Sequence, residues 1–434
     1  MRIVTWQCGF DREALKHPFG FKGSALTELW QIAVQLTDDQ GNVGLGTGVQ
    51  SVLWSDAGVF TRLHESGGNS TMLSLTNYAL DQATKLEWDS PIDLQQQLLP
   101  VLTSYVDALC PDSPIRHTFI LNALVPVDHA AWQLYAQAKA CRGFDEMIPT
   151  AYVSGLTERH QRLVAVPLIT YGTSLEDVRE LAENGCSLFK IKVGADPDGN
   201  GDLDRMLEWD SKRIAELHHL LKSYRSDDTE SGRIVYYLDA NGRYDTLDRV
   251  QRLLDAADHV GALEDIALLE EPFSEQSTIE VGELPCCVVA DESAHSVEDA
   301  KRRFAQGYSG LALKPVAKTL SASLQMLEEA SKSDVQCFCA DLTVPPYLLE
   351  WNRNVAARLK SLPSMKVGIL ESNGAQNYVN WDKLVGAHPL PSASWIHPER
   401  GVFTLSDSFY ETSGGVFAQP DLYEAMATSR KLTR

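Results

Sequence analysis

Basic residues are scarce in this chain. Lys and Arg number 38 against 59 Asp and Glu in 434 residues, a formal net charge of −21. Such a deficit argues against nucleic acid or an anionic membrane surface as a partner. It does not exclude an anionic small molecule, because a local metal ion and a few lysines override the global field. No apolar run approaches the roughly 20 residues of a membrane span. The first residues lack a secretory leader's basic–apolar–small pattern, so the chain is expected in the cytoplasm. The 8 cysteines contain no C-x-x-C pair. They read as small buried hydrophobes in a reducing compartment and support neither a disulfide framework nor a zinc site.

What the sequence does have is a globular composition, 44% hydrophobic and 22% charged, and a length beyond one ordinary domain. Between Leu188 and Lys314 lie five short apolar runs that each end in charge. They are Leu188–Gly194, Ile234–Asn241, Ile266–Pro272, Cys287–Glu292 and Leu311–Pro315. From Lys192 to Asp239, Glu270, Asp291 and Lys314 the intervals are 47, 31, 21 and 23 residues. Each interval fits one strand plus one helix, the unit of a parallel sheet buried on both faces. Ala165–Tyr171 reads as a preceding first strand, and Val335–Ala340 and Lys366–Leu370 as the last two. Charges at the carboxyl ends of successive strands converge on one mouth, where a (β/α)₈ barrel builds its active site.

The first 148 residues have another character. Leu29–Leu36, a turn at Asp38–Asn42 and a resumption at Val43 predict an antiparallel hairpin. Gly44, Gly46 and Gly48 lack the Lys-Ser/Thr ending of a phosphate loop, so they read as a strand that bends or approaches other backbone. Val49–Asp56 reads as a loop with Trp54 at its tip, either a packed anchor or part of a lid. From Ile92 to Ala140 the pattern is helical, with Val127, Ala130, Ala131, Leu134 and Ala138 on one face. Strands followed by helices indicate an α+β module. The organisation expected is a capping domain over 1–148, a barrel over 149–373, and a segment over 374–434 that packs back on the cap.

The strand ends carry a coherent chemistry. Asp239, Glu270 and Asp291 are hard oxygen ligands from three successive strands, a set that suits Mg²⁺. A lone acid at a strand end is often a solvated residue or a helix cap, but three in consecutive units between lysine-bearing strands make that reading the weaker one. Lys190 and Lys192, two apart on a strand, share a face. Mutual repulsion is expected to lower the pKa of one, making it a base; the alternative is a phosphate- or carboxylate-binding pair, and the two roles could coexist. Lys314 enters from well around the barrel. Bases on two sides of a metal suit removal of the proton next to a carboxylate.

Five motifs carry a resemblance: Phe189-Lys190-Ile191-Lys192-Val193-Gly194, Leu238-Asp239-Ala240-Asn241, Leu269-Glu270-Glu271-Pro272, Ala290-Asp291-Glu292-Ser293 and Leu313-Lys314-Pro315. In this order they resemble the enolase superfamily, most closely its muconate-lactonizing-enzyme subgroup. The resemblance implies a modified (β/α)₈ TIM barrel under an α+β cap, Mg²⁺ on Asp239, Glu270 and Asp291, Lys192 and Lys314 as acid/base pair, and Lys190 as electrostatic helper. Glu292 would stand behind the ligands, and Asn241, Glu371, Asn373 and Trp54 are expected either to contact substrate or to stand behind the residues that do. The mandelate-racemase subgroup places a histidine on the seventh strand, where this chain has Cys339-Ala340-Asp341. His295 reads as a loop residue. Dipeptide epimerases carry Asp-x-Asp after the eighth strand; Glu371-Ser372-Asn373 keeps one acid, and Glu371 equally resembles the glutamate of cycloisomerases. Phe19–Lys22 and Val52–Asp56 of the cap are expected to set specificity. The expected activity is a racemase, epimerase or cycloisomerase working through an enediolate on a small carboxylate, in a homo-oligomer. A dehydratase-type lyase and a non-catalytic binding barrel are the alternatives.

Overall fold

The structure, a computed structural model, describes residues 1–21, 24–109 and 114–429. The expectation for Phe19–Lys22 therefore falls partly outside the described residues, as do the last five positions of the C-terminal segment. Strands β1 (Ile3–Phe21), β2 (Ser24–Asp38) and β3 (Val43–Gln50) form a three-stranded antiparallel sheet. The predicted hairpin is β2–β3; the long outer strand β1 had not been anticipated. Helices α1 (Val52–Ser55), α2 (Ala57–Ala83), α3 (Pro91–Leu109) and α4 (His117–Ala138) follow. The predicted helical stretch is thus two helices, α3 and α4. The glycines of β3 let the strand lie against α4. A Cβ on Gly44 would meet Ala130 and Leu134, and one on Gly46 would meet Pro126 and Ala130.

The second sheet holds ten strands: β4 (Arg162–Val166), β5 (Leu168–Ile169), β6 (Leu188–Lys192), β7 (Val235–Asp239), β8 (Ile266–Glu270), β9 (Cys287–Ala290), β10 (Gly310–Leu313), β11 (Gln336–Cys339), β12 (Gly368–Glu371) and β13 (Val402–Thr404). Their order is β13-β4-β12-β11-β10-β9-β8-β7-β6-β5. The expected single strand over Ala165–Tyr171 is replaced by two pieces interrupted at Pro167. β4 pairs in parallel with β12, and β5 with β6, so the ends of the curled sheet meet across one proline. Pro167 has no N–H for a ladder, and its carbonyl instead accepts from the Lys190 amide at 3.1 Å.

Period-two alternation decides what faces inward. Leu188, Val235, Tyr237, Leu268, Val289, Ala312, Phe338 and Ile369 pack in one buried cluster. Two residues further along their strands stand Lys190, Asp239, Glu270, Asp291, Lys314 and Glu371. The charged layer therefore rests directly on an apolar plug. Cap and barrel are joined by Asp128 of α4, whose carboxylate accepts from the Leu320 and Ser321 amides at 2.9 and 3.2 Å, and by Trp132 Nε1, which donates to Ser321 Oγ at 3.1 Å. The C-terminal segment does more than pack on the cap. Helix Asp421–Thr428 lies against β1 and β2, while β13 extends the barrel sheet antiparallel to β4. Among the described residues no helix is long and apolar enough to cross a membrane, and the described cysteines are free thiols.

Candidate active site

All eleven residues singled out in the sequence line one cavity of about 590 Å³, including its space open to solvent, at the carboxyl ends of the barrel strands. Register explains the convergence: Lys192 pairs with Asp239, and Asp239 with Glu270, on adjacent parallel strands. Beyond β7 and β8 the chain takes left-handed φ at Asn241 (45°) and Glu271 (42°), which costs residues other than glycine on the order of 1–3 kcal/mol each. Two backbone bonds hold this turn, from the Gly242 amide to the Glu271 carbonyl at 2.7 Å and from the Glu271 amide to the Val289 carbonyl at 2.8 Å. It aims Asn241 into the cavity and Glu271 behind it. Glu271 Oε2 accepts from the amides of Asp291 and Ser293 at 2.8 and 3.2 Å, pinning the loop that carries Asp291.

Lysines and carboxylates interleave. Lys190 Nζ lies 3.0 Å from Asp239 Oδ2, 3.2 Å from Glu270 Oε1 and 3.2 Å from Glu371 Oε2. Lys192 Nζ donates to Asp239 Oδ2 at 2.6 Å and to Asn241 Oδ1 at 2.5 Å, and Asn241 Nδ2 donates to Glu292 Oε1 at 3.0 Å. Lys314 donates to Asp291 Oδ2. With three strands between them on either side of an eight-strand circuit, β6 and β10 bring Lys192 and Lys314 in from opposite walls.

The carboxylates overturn the expectation that lysine repulsion dominates. Burial alone would depress Lys190, but Asp239, then Glu270 and Glu371, outweigh it and hold its pKa well above the ordinary value. The same contest, won by Asp291 and Glu292, raises Lys314. Burial pushes Glu270 up, against Lys190. Asp239 and Asp291 are held down despite burial, the first by Lys190 and Lys192, the second by Lys314 and Lys318.

Glu270, Asp291 and Glu292 each offer a carboxylate oxygen, and these oxygens lie within 4.8 Å of one another. An all-oxygen, anionic, buried set of this kind fits Mg²⁺. Asp239, the third ligand expected from sequence, stands aside from this cluster, tied to Lys190 and Lys192, while Glu292 joins it.

Trp54 does not stand at the tip of a loop. Its segment is the end of β3 followed by the short helix α1, and the indole is 6% exposed. Its ring centroid lies 4.8 Å from Lys314 Nζ. With Leu15, Leu26, Leu29, Leu168 and Leu342 it makes the apolar wall of the cavity. His295 lies outside any strand or helix, with Nε2 3.7 Å from Glu275 Oε2, and does not line the cavity.

Three residues escaped the sequence reading. Asp341, which follows the predicted strand Val335–Ala340 and was assigned no role, lines the cavity, and burial, aided by Glu371, raises its pKa to about 7. Its place at the end of a strand was the available signal. Tyr237 donates its hydroxyl to Glu270 Oε2, and Lys318 Nζ donates to Asp291 Oδ1 at 3.0 Å. Tyr237 could have been found by counting two back from Asp239; Lys318 had no periodic mark.

Comparison with known proteins agrees with this architecture. Residues 174–380 match the family model described as enolase C-terminal domain-like. A mandelate racemase/muconate lactonizing protein from Herpetosiphon aurantiacus superposes with a TM-score of 0.64 at 16% identity, over 94% of this chain and 96% of that one. An N-succinyl Arg/Lys racemase from Bacillus cereus gives 0.64 at 15% identity, over 94% and 93%. A dipeptide epimerase from Enterococcus faecalis, complexed with Mg and the dipeptide L-Leu-L-Tyr, gives 0.61 at 15%, over 94% and 98%. No curated protein sequence matches the chain.

Proposed function

We propose that the chain, whose residues 174–380 match the enolase C-terminal domain-like family model, is a Mg²⁺-dependent isomerase of the enolase superfamily that moves the proton next to the carboxylate of a small substrate. The observation that carries this reading is the placement of Lys192 and Lys314 on opposite walls of a cavity with Glu270 and Asp291 between them. Glu270 and Asp291, with Asp239 as third ligand and Glu292 beside them, would hold the ion. When bound, Mg²⁺ supplies positive charge to the substrate carboxylate and so stabilises the enediolate left when the α-proton departs.

The remaining work falls to side chains. One lysine, neutral at that moment, takes the α-proton from one face; the other, as ammonium, returns a proton to the opposite face. Lys190 adds fixed positive charge where negative charge develops. The leucine wall and Trp54 take an apolar substituent and exclude water. Cycloisomerisation would use the same enediolate with one lysine as proton donor.

Incubating purified protein and Mg²⁺ with a library of chiral carboxylates in deuterated buffer tests the proposal. Exchange of the α-proton accompanied by inversion supports the 1,1-proton transfer. A product lighter by a leaving group would replace it with a lyase, and binding without exchange or turnover would replace it with a binding barrel.

A further inference from the structure

Each carboxylate at the head of β8 and β9 has one oxygen engaged on the side away from the substrate. Glu270 Oε2 accepts from the hydroxyl of Tyr237, which is fully buried. Tyr237 is fixed in turn by an edge-to-face contact with Phe338, at 5.3 Å and 81°. Asp291 Oδ1 accepts from Lys318, also fully buried, at 3.0 Å. The other two bonds of Lys318 go to the carbonyls of Asp291 and Ala294, at 2.6 and 2.9 Å. All three ammonium donors are spent. Lys318 therefore has nothing to offer a substrate, although it stands four residues from Lys314.

The second oxygens, Glu270 Oε1 and Asp291 Oδ2, meet Lys190 and Lys314 at the cavity. We infer that Tyr237 and Lys318 are positioning residues for the metal: they tether Glu270 and Asp291 so that each presents one oxygen to the ion. This rests on the Mg²⁺ reading above. The physical reason is general. A ligand whose second oxygen is pinned loses little rotational freedom on binding, whereas an untethered carboxylate must be ordered by the ion itself. The Tyr237 ring adds a second function, since Lys190 Nζ lies 4.6 Å from its centroid and is steadied against the same carboxylate.

Calorimetric Mg²⁺ titration of the full chain, paired with thermal melts in chelator and in saturating Mg²⁺, tests this without a substrate. Tyr237→Phe removes one oxygen and leaves the ring packing. We expect it to weaken Mg²⁺ binding about 10–100-fold, with a Tm in chelator close to wild type and a smaller Mg²⁺-induced rise in Tm. Lys318→Met should weaken Mg²⁺ binding to a similar degree, and if it fails to fold, the Tyr237 variant decides. Wild-type affinity in Tyr237→Phe would overturn the inference and leave the metal reading intact. No Mg²⁺ binding by the wild-type protein would overturn both.

Discussion

The ammonium nitrogen of Lys314 lies 4.8 Å from the centroid of the Trp54 ring, so a residue of the cap closes directly over a residue of the barrel. A cation against an indole face contributes about 0.5–2 kcal/mol, more as water is excluded. Trp54 thereby belongs to both the packing and the cavity. We expect Trp54→Ala to cost about 3–5 kcal/mol of stability and to raise KM as well. Trp54→Phe should retain most of the stability and lose part of the substrate preference. Thermal melts alongside kcat/KM for two substrates separate these effects; unchanged kinetics in both variants would make Trp54 a packing anchor only.

The ligand set can be resolved by four substitutions read by Mg²⁺ calorimetry. Glu270→Gln and Asp291→Asn should abolish binding, because each removes charge from the buried cluster. Asp239→Asn, which removes the carboxylate at the first of the three successive strand ends, should do the same. Glu292 Oε1 already accepts from Asn241 Nδ2 at 3.0 Å, so Glu292→Gln should leave binding within about tenfold of wild type. The reverse order for the last two would make Glu292 the third ligand and Asp239 a counterion of Lys190 and Lys192.

The two lysines predict opposite stereochemical failures. Lys314→Met should stop net inversion yet leave Lys192 able to exchange the α-proton of one enantiomer with solvent. Lys192→Ala should show the mirror-image selectivity. Deuterium incorporation into each enantiomer, followed by mass spectrometry or NMR, is the measurement. Equal loss for both enantiomers in both variants would exclude a two-base mechanism and favour one lysine acting mainly through its charge.

Gly46 supplies a test remote from the chemistry. A Cβ there would collide with the Pro126 carbonyl and the Ala130 backbone, neither of which can rotate away. Gly46→Ala should force β3 and α4 apart and cost about 1–3 kcal/mol or more, visible as a fall in Tm of several degrees. An unchanged Tm would mean that the strand–helix contact is looser than the structure has it.

Period two in the barrel strands made much of the site legible in advance. Each run ends two residues beyond an inward apolar side chain, so Lys190, Asp239, Glu270, Asp291 and Lys314 were bound to share one layer once the strands lay parallel and adjacent. The close approach of Gly44 and Gly46 to other backbone was equally readable, because no phosphate-loop ending followed them. Local sequence could not reveal what depends on neighbours far along the chain. Pro167 splits one strand into two because the curled sheet must close there, pairing β4 with β12 and β5 with β6. Lysine charge could be read from sequence, but its balance could not: the protonation of Lys190 is governed by Asp239, Glu270 and Glu371, the last 181 residues away. Trp54 looked like a loop tip until the cap was laid over the barrel. The sequence by itself determined which side chains face inward, through a two-residue repeat that needs no partner. Only the tertiary structure decided which charges neutralise which, because Coulomb energy depends on distances that folding alone sets.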